Sequence, residues 1–468
     1  MPESSEDIIG LQWFGSFYSA GGYGTEALVF AQSIQKLKIP LKIQQHGAAS
    51  FNKNYSSGLP NGLLDTLNAL HENDPGKHLV SVCHSQPVSW HPHKGKKGSR
   101  SARCPPQHSW YSVGRTMVET DRLPDGWAKR LNAMDQVWIP TEFSRKIFTD
   151  GGVEPELLQV VGQGVDTKYF HSEARGVEPY PLKGAKPSTF VYFSVFNWED
   201  RKGWDILLES YFGAFTAEDN VLLVILTNKP DKCPEFKGMG ATVERFAEEK
   251  GFDPEKLPGY EVLVEQSQSE VRSLYKAADA YVLPSRGEGW GRTYMEAMAM
   301  GLPVIATNWS GPTEYMTEAN SYLLKTDGLV EVENGPYQGH MWANPSVMHL
   351  KELLKYVRDN PEDAQKKGKE ARKDMVRAYS VDAIGHQVQN LLKNIQAEMA
   401  YHDDKSSTCN GNDCLNQSPQ ILLSAYLKKG NHFAGTIMLI IICLALLLLS
   451  LYAFKTLSNS KIKSKKQA

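Results

Sequence analysis

Two glutamates stand eight positions apart in the stretch SRGEGWGRTYMEAMAMGLPVIAT, residues 285–307. Between them, a turn rich in glycine leads into a segment that reads as a helix from about Arg292 through Met300. The free N–H groups of such a helix start attract phosphate oxygens, whereas a carboxylate accepts hydrogen bonds from sugar hydroxyls. Glu288 and Glu296 therefore indicate a ligand with hydroxyls on both sides of a diphosphate, a nucleotide-sugar. Two solvated surface glutamates are the alternative interpretation.

A pair of cations offers a partner for that diphosphate. Arg201 and Lys202 follow the strand-like segment TFVYFSVFN and precede the helix-like segment WDILLESYFGAF. Ligands of open α/β sheets bind beyond the carboxyl ends of the strands, which is where we expect these two side chains. An exposed basic pair, which is common on any protein surface, is the alternative.

A second glycine-rich junction lies near the start of the chain, in WFGSFYSAGGYGTEA. Gly21, Gly22 and Gly24 connect a strand-like segment to a helix-like one. Glycines at such a junction let the backbone approach a ligand. The junction lacks the full spacing of the dinucleotide fingerprint, so it does not favour a nicotinamide cofactor. A purely structural turn is the alternative.

The surrounding sequence alternates apolar runs with helical patterns, which predicts parallel sheets wrapped by helices. One series runs from Ile8 to about Pro179, and a second begins after the loop YPLKGAKPS. We therefore predict two tandem α/β domains over 1–182 and 183–375, followed by a helix over 376–400 that packs back on the body.

The composition agrees with a globular protein. The 468 residues carry a formal net charge of −2 and 22% charged side chains, which argues against a nucleic-acid partner and against disorder. We expect a reduced main body with few disulfides, because the six cysteines show no metal-type spacing and one lies in an apolar run. They are Cys83, Cys104, Cys233, Cys409, Cys414 and Cys443.

An apolar run near the end of the chain differs from everything before it. Residues 433–454 contain no charged side chain and are about long enough to span roughly 30 Å of hydrocarbon as a helix. We predict one transmembrane helix there, after a polar linker over 401–432 and before a lysine-rich tail over 455–468. A buried core helix is the alternative.

The motifs together resemble the donor site of a known enzyme family. Glu288 and Glu296, followed by AMAMGLPVIAT and SGPTEY, resemble the signature of retaining nucleotide-sugar glycosyltransferases of the GT-B fold, and more narrowly glycosyltransferase family 4 (glycosyl transferase group 1). The segments DRKGWDILL, GGYGTEA and VVGQGVDTKYF fit the same family. The resemblance covers most of residues 12–396 and implies two Rossmann-like domains. The first would be the acceptor-side domain and the second the donor nucleotide-sugar domain.

The resemblance also implies roles for individual residues. Glu296 would hold the nucleotide ribose, Glu288 the transferred sugar and Lys202 the diphosphate, with Glu288 and Lys202 acting in catalysis. Backbone and side-chain groups complete the predicted donor-binding set: Gly21, Gly22, Arg201, Gly289, Trp290 and Gly291.

This chain departs from the family pattern before Lys202. Many family members carry an arginine five or six positions before the lysine, where this chain has Asn197 and Phe196. Arg201 is the candidate replacement.

The family's catalytic histidine follows a strand of the N-terminal domain. The best match is His84 in VCHSQPVSW, with His91 and His93 as competitors. A histidine near a strand end is otherwise more often structural than catalytic, and that alternative stays open here.

The implied reaction moves a sugar from a UDP- or GDP-sugar to an acceptor hydroxyl with retention of configuration. Cations and helix N-termini would stabilise the leaving diphosphate where water is excluded. No Asp-x-Asp motif stands where a metal would bridge the diphosphate, so we predict metal independence and no cofactor. We also expect an interdomain hinge that closes around the donor. A non-catalytic nucleotide-sugar-binding scaffold and a sugar epimerase on the same fold are the alternatives.

The expected location is the endoplasmic reticulum or Golgi membrane, as a single-pass protein with its catalytic domains in the cytosol. The opening MPESSEDIIGLQWFG lacks a signal-peptide pattern, and nucleotide-sugars are made in the cytosol. The excess of lysines after the apolar run predicts the opposite orientation. The final KKQA resembles a dilysine retrieval signal, which is read from the cytosolic side. Membrane tethering suggests a lipid-linked or glycoprotein acceptor.

Overall fold

The computed structural model describes most of the chain through residue 408. Residues 1–394 form one compact unit, which contains both large sheets. The described residues are 9–19, 21–47, 62–76, 79–90, 102–107, 109–228 and 239–408, with side chains described as far as 400.

The N-terminal sheet has six parallel strands in the order β2-β1-β3-β4-β5-β6. Helices separate most consecutive strands, as parallel pairing requires. The elements are β1 Gly10–Gly15, helix Gly22–Lys36, β2 Leu41–Gln45, helix Leu63–Glu72, β3 Leu79–His84, β4 Tyr111–Arg115, helix Trp127–Leu131, β5 Gln136–Ile139, helix Glu142–Asp150 and β6 Leu158–Val160.

The C-terminal sheet repeats this plan with six parallel strands in the order β12-β11-β10-β7-β8-β9. Two tandem Rossmann-like α/β domains are thus confirmed. The elements are β7 Phe190–Val195, helix Trp204–Ala214, β8 Val221–Thr227, helix Met239–Glu249, β9 Gly259–Val264, helix Gln268–Ala277, β10 Ala280–Leu283, helix Arg292–Met300, β11 Val304–Thr307 and β12 Tyr322–Leu324.

An antiparallel hairpin and three helices follow the second sheet. They are β13 Thr326–Glu331, β14 Met341–Pro345, and helices Val347–Asp359, Pro361–Ala378 and Val381–Thr408. The first part of the last helix packs on the N-terminal domain: a β-carbon on Gly385 would lie 3.0 Å from the carbonyl oxygen of Ser33. The helix also continues into the segment that we predicted to be a linker.

Apolar strands explain why both sheets are buried. β8 has the sequence VLLVILT, and all seven of its residues are buried, as expected for a parallel strand with helices on both faces. Where the first sheet's order reverses, between β1 and β3, the strands leave a crevice beyond their carboxyl ends. The second sheet reverses between β7 and β10. The fold therefore supplies one ligand-binding edge in each domain.

Over the described ranges, no helix has the length and apolar character needed to cross a bilayer, and the predicted span 433–454 lies outside those ranges.

The expectation of a reduced main body is wrong at one place, because Cys83 and Cys104 form a buried disulfide with their Cα atoms 5.6 Å apart. Sequence spacing did not reveal this pair, since the fold brings together a strand end and a distant loop.

Candidate active site

One cavity of about 380 Å³ lies between the two domains, lined by segments that follow strands of both sheets. It brings together every predicted site residue except His84. Those residues are Gly21, Gly22, Arg201, Lys202, Glu288, Gly289, Trp290, Gly291 and Glu296. We call this cavity the donor cleft.

The two cations reach the cleft through a tight turn after β7. Residues Asp200–Lys202 form a single 3₁₀ turn, and Gly203 follows with φ 65°. A β-carbon on Gly203 would lie 2.1 Å from the carbonyl oxygen of Pro284, so only glycine allows this approach. Lys202 Nζ lies 2.5 Å from Oε1 of Glu288, and Arg201 lies 3.3 Å from its Oε2. The turn thus places both cations beside the carboxylate of Glu288.

Charges in the cleft compensate one another. Burial raises the pKa of Glu288, but Lys202 and Arg201 outweigh burial and hold the pKa below its ordinary value. Arg201 also meets Glu119 of the N-terminal domain at 3.6 Å and Glu199 at 2.8 Å. Burial lowers the pKa of Arg201, whereas the surrounding carboxylates raise it further, with a net rise. Arg201 therefore stays charged before any diphosphate arrives.

The glycine-rich loop after β10 is packed too tightly for side chains. A β-carbon on Gly287 would lie 2.0 Å from the carbonyl oxygen of Glu119, and one on Gly289 would lie 2.5 Å from Met117 Sδ. Gly291 has φ 94° and begins the helix Arg292–Met300. This loop therefore brings its backbone against the other domain and directs a helix N-terminus toward the cleft.

Trp290 contributes packing as well as backbone to this loop. Its side chain is buried, and its ring lies 5.0 Å from the ring of Tyr315. The Tyr315 hydroxyl donates to the carbonyl oxygens of Trp290 and Gly291, at 2.8 and 2.9 Å. The Tyr315 side chain thus stabilises the conformation of this loop.

Glu296 lies one turn into the helix Arg292–Met300. The Tyr275 hydroxyl donates to its Oε2 at 3.1 Å. Burial raises the pKa of Glu296, and Arg292 and Tyr275 only partly oppose that rise. The carboxylate therefore has little compensation within the protein, which suits a group that accepts hydrogen bonds from a ligand.

His84 does not line the cleft. The ring is completely buried at the end of β3, where Trp13 Nε1 donates to its Nδ1 at 3.2 Å. Its Nε2 lies 3.1 Å from Oε2 of Glu26, whose Oε1 accepts two hydrogen bonds from Arg115 at 2.6 and 2.8 Å. The structure thus places His84 in a buried polar cluster behind the Gly21–Gly22 junction. The competitors His91 and His93 lie outside the described residues.

Several cleft residues escaped the sequence analysis. Tyr23 stands within the GGYGTEA motif, so its position was available, but nothing indicated its direction. Gln163 and Thr293 likewise stand within quoted motifs, VVGQGVDTKYF and the 285–307 stretch, whereas Met117, Glu119 and Asn228 lie outside them. Asn197 and Phe196, which occupy the places of the usual arginine, line the cleft beside Arg201.

No metal cluster accompanies this site within the described residues. No group of three or more His, Cys, Asp or Glu side chains is arranged there to hold an ion. The predicted metal independence is not tested by this observation and stays a prediction.

Two parallel Rossmann-like sheets with a cleft between them define the GT-B class of protein. Residues 187–334 match the family model described as Glycosyl transferases group 1. The chain therefore has the GT-B fold, and residues 187–334 of its C-terminal domain are similar to the group 1 glycosyltransferases, so the resemblance stated above is confirmed.

Individual relatives agree with this assignment. A D-inositol 3-phosphate glycosyltransferase of Segniliparus rotundus is 29% identical over 160 residues, which are 34% of this chain and 33% of that protein. A probable sucrose-phosphate synthase of Thermosipho melanesiensis is 25% identical over 259 residues, 54% of this chain and 51% of that protein. The chain thus spans about half or less of the length of these curated relatives.

A solved structure supports the fold. The crystal structure of Anabaena HepE in complex with UDP and glucose superposes with a TM-score of 0.56 at 14% identity. The superposition covers 83% of this chain and 100% of that one. Identity this low bears on the fold alone.

Proposed function

We propose that this protein is a retaining glycosyltransferase that transfers a sugar from a UDP- or GDP-sugar to an acceptor hydroxyl. The observation that carries the proposal is the donor cleft. Two cations, a buried glutamate and a partly buried glutamate with opposite pKa shifts, and a helix N-terminus converge there from separate segments. A scaffold protein has no need of such an arrangement. The names of the curated relatives support glycosyl transfer, and HepE, which has the same fold, binds UDP and glucose in its crystal structure.

The donor would lie across the cleft with its two polar ends on the two glutamates. Glu296 accepts hydrogen bonds from the ribose hydroxyls, and Glu288 from hydroxyls of the transferred sugar. The diphosphate meets Lys202 and Arg201, which leave their present contacts with Glu288 as it binds. N–H groups at Gly289 and Gly291 and the start of the helix Arg292–Met300 add further donors.

Catalysis would consist mainly of stabilising the leaving group. As the bond between the sugar carbon and the diphosphate oxygen breaks, negative charge grows on the diphosphate. Lys202 and Arg201 stabilise that charge in a site where water is scarce, so each is worth more than it would be in bulk solvent. The acceptor hydroxyl approaches the same face of the sugar and passes its proton to the departing diphosphate oxygen as the new C–O bond forms, which retains the anomeric configuration.

We also propose that the reaction needs no metal and no further cofactor, because two fixed cations already face the diphosphate. A chelator should leave the rate unchanged. A loss of activity with EDTA that is restored by Mg²⁺ or Mn²⁺ would contradict this part of the proposal.

Membrane attachment through residues 433–454 is part of the proposal, supported by the length and composition of that run. A lipid-linked or glycoprotein acceptor in the endoplasmic reticulum or Golgi follows from it. We place the catalytic domains in the cytosol, where the donors are made. The Cys83–Cys104 disulfide favours the opposite side, and protease protection in sealed microsomes distinguishes the two orientations.

A panel assay tests the enzymatic proposal. The full-length chain, purified in detergent, is incubated with individual UDP- and GDP-sugars, and nucleotide release is measured. We expect release from one donor, and a loss of about 100-fold or more in Glu296→Ala and Lys202→Ala, by analogy with removing one oxyanion-hole donor. Lys250→Ala is the matched control, because Lys250 pairs with Glu209 at a distant surface.

Other outcomes separate the alternatives. A folded wild-type protein that neither releases nucleotide nor gains thermal stability from any donor contradicts the proposal and leaves a scaffold. Conversion of the donor to its epimer without transfer indicates an epimerase. Once an acceptor is in hand, nuclear magnetic resonance of the product's anomeric proton checks retention.

A further inference from the structure

A second cavity of about 260 Å³ adjoins the donor cleft on the side of the N-terminal domain. It lies beyond the carboxyl ends of β1, β2 and β3, where the strand order reverses. Its volume suits a single sugar ring, since pockets for larger ligands begin at about 300 Å³. Hydroxyl and amide side chains and glycine backbone form most of its described lining: Ser16, Ser19, Gly47, Ser85, Gln86 and Ser89.

Tyr23 forms the boundary between the two cavities. It lines both of them, together with Gly21 and Gly22, which precede it. The two glycines leave no side chain of their own at this boundary, so the phenol ring of Tyr23 is the largest group there. A sugar in the second cavity and a donor in the first would meet across this residue.

Buried groups hold Tyr23 in this position. Its hydroxyl lies 3.1 Å from Oγ1 of Thr116, which is itself completely buried after β4. Its ring packs edge to face against His84, with 5.5 Å between centroids. His84 is fixed in turn by Trp13 and Glu26. The buried polar cluster of His84, Trp13 and Glu26 therefore holds the ring of Tyr23 in place.

The Tyr23 hydroxyl keeps hydrogen-bonding capacity. Burial raises the pKa of the phenol above its ordinary value, and the hydrogen bond with Thr116 only partly opposes this. The phenol is thus neutral at physiological pH, with one donor and two lone pairs. The contact with Thr116 uses one of these, which leaves capacity for a sugar hydroxyl.

We infer that the second cavity is the acceptor site for an uncharged sugar group, and that Tyr23 is the residue that positions this acceptor at the donor. The inference rests on the proposed function. Across the described part of the chain, no charged side chain lines the cavity. Serine hydroxyls and the Gln86 amide match sugar hydroxyls, which both donate and accept.

Transfer kinetics test the inference on the full-length chain. The donor is the one found in the panel assay, and the acceptor probes are the methyl α-D-glycosides of glucose, galactose and mannose, with glucose 6-phosphate as the anionic comparison. We expect transfer to at least one neutral glycoside, with kcat/KM at least about tenfold above that for glucose 6-phosphate, because the phosphate would be desolvated without a partner.

Tyr23→Phe removes the hydroxyl and keeps the ring. We expect the KM for the glycoside to rise about five- to tenfold, as for the loss of one hydrogen bond, while the donor KM stays within about twofold. Thr116→Val should shift the acceptor KM in the same direction, because it releases the hydroxyl. Tyr260→Phe is the matched control, since that phenol lies at a distance on β9.

The outcomes separate this inference from the proposed function. A wild-type protein that uses no donor refutes the proposed function and the inference with it. A wild-type protein that uses a donor but accepts no neutral glycoside, or prefers glucose 6-phosphate, overturns only the inference. Equal changes of both KM values in Tyr23→Phe, or no change in either, also overturn it, because they indicate a purely structural tyrosine.

Discussion

At the scale of single residues, Glu288 and Glu296 show how position decides the behaviour of a carboxylate. Glu288 is buried and Glu296 partly buried, and the pKa of Glu288 is lowered whereas that of Glu296 is raised. Glu288 has Lys202 and Arg201 beside it, whereas Glu296 has one partly effective cation, Arg292, and a tyrosine hydroxyl. Glu296 is therefore the glutamate whose protonation should affect ligand binding first as the pH falls.

We predict that donor affinity falls as pH decreases through the raised pKa of Glu296, above the ordinary value of 4.5. Protonation removes a charged acceptor for the ribose, which amounts to about tenfold in affinity. Isothermal titration with the nucleotide-sugar over about pH 5 to 8 measures this. Glu296→Gln should abolish the pH dependence, and an unchanged slope in that variant would contradict the assignment.

The effect of Glu296 on the free energy of unfolding should have the opposite pH dependence to its effect on donor affinity. A carboxyl whose folded-state pKa is raised contributes stability below its unfolded pKa and loses that contribution as pH rises through the folded pKa. Glu296→Gln should therefore raise the Tm of the free protein at neutral pH while weakening donor binding.

Arg201 is the candidate replacement for the arginine that many family members carry five or six positions before the lysine. Arg201→Ala should lower kcat by about 100-fold if the guanidinium replaces the arginine that family members carry earlier in the chain. Arg201→Lys should recover part of that loss, because it keeps the charge but not the paired donors. Asn197→Arg, which recreates the usual position, should rescue Arg201→Ala. Wild-type kcat in Arg201→Ala would assign the diphosphate to Lys202 alone.

At the scale of elements, the start of the helix Arg292–Met300 depends on Gly291. Its φ of 94° is strained for any other residue, and a β-carbon would lie 2.4 Å from the ring of Tyr294. We predict that Gly291→Ala lowers the free energy of unfolding by more than about 1 kcal/mol. Donor affinity should fall as well, because the helix N-terminus is displaced.

Urea unfolding and titration calorimetry measure both effects. Gly240→Ala is the matched control, since Gly240 lies in a helix with nothing within 4 Å of a new β-carbon. That change should be neutral or stabilising by up to about 1 kcal/mol. Equal stability of the two variants would show that the left-handed conformation at Gly291 is not required.

At the scale of the whole molecule, the segment after β4 holds the two domains together. Asp121 exchanges two hydrogen bonds with the backbone of Met341 on β14, at 2.7 and 2.9 Å. Thr120 Oγ1 lies 2.8 Å from Nδ1 of His340, and Glu119 meets Arg201 in the cleft. These contacts favour a closed arrangement of the domains, in keeping with the predicted hinge.

Asp121→Ala should shift the protein toward an open form. We expect the donor KM to rise by roughly tenfold, because closure must then occur without these hydrogen bonds, with a smaller effect on kcat. Small-angle scattering should show a larger radius of gyration without the donor. Asp253→Ala, which alters an exposed carboxylate paired with Lys256, is the control. Identical scattering and KM values in Asp121→Ala and the wild type would rule out this role.

Local pattern determined much of this protein in advance. The two α/β domains follow from apolar strands alternating with helical segments, because burial on both faces of a parallel sheet demands that pattern. Glu288, Glu296, Arg201 and Lys202 were located from short motifs at strand ends, since parallel strands always present their carboxyl ends at one edge.

Only the tertiary structure decided which distant groups meet. His84 lies at a strand end, as an active-site histidine would, but Trp13, Glu26 and Arg115 surround it because β1, β3 and β4 are neighbours. The Cys83–Cys104 disulfide and the place of Tyr23 between two cavities have the same origin. Sequence patterns report the period and ends of each element, whereas contacts between elements depend on strand order and on the approach of two domains, which no local pattern encodes.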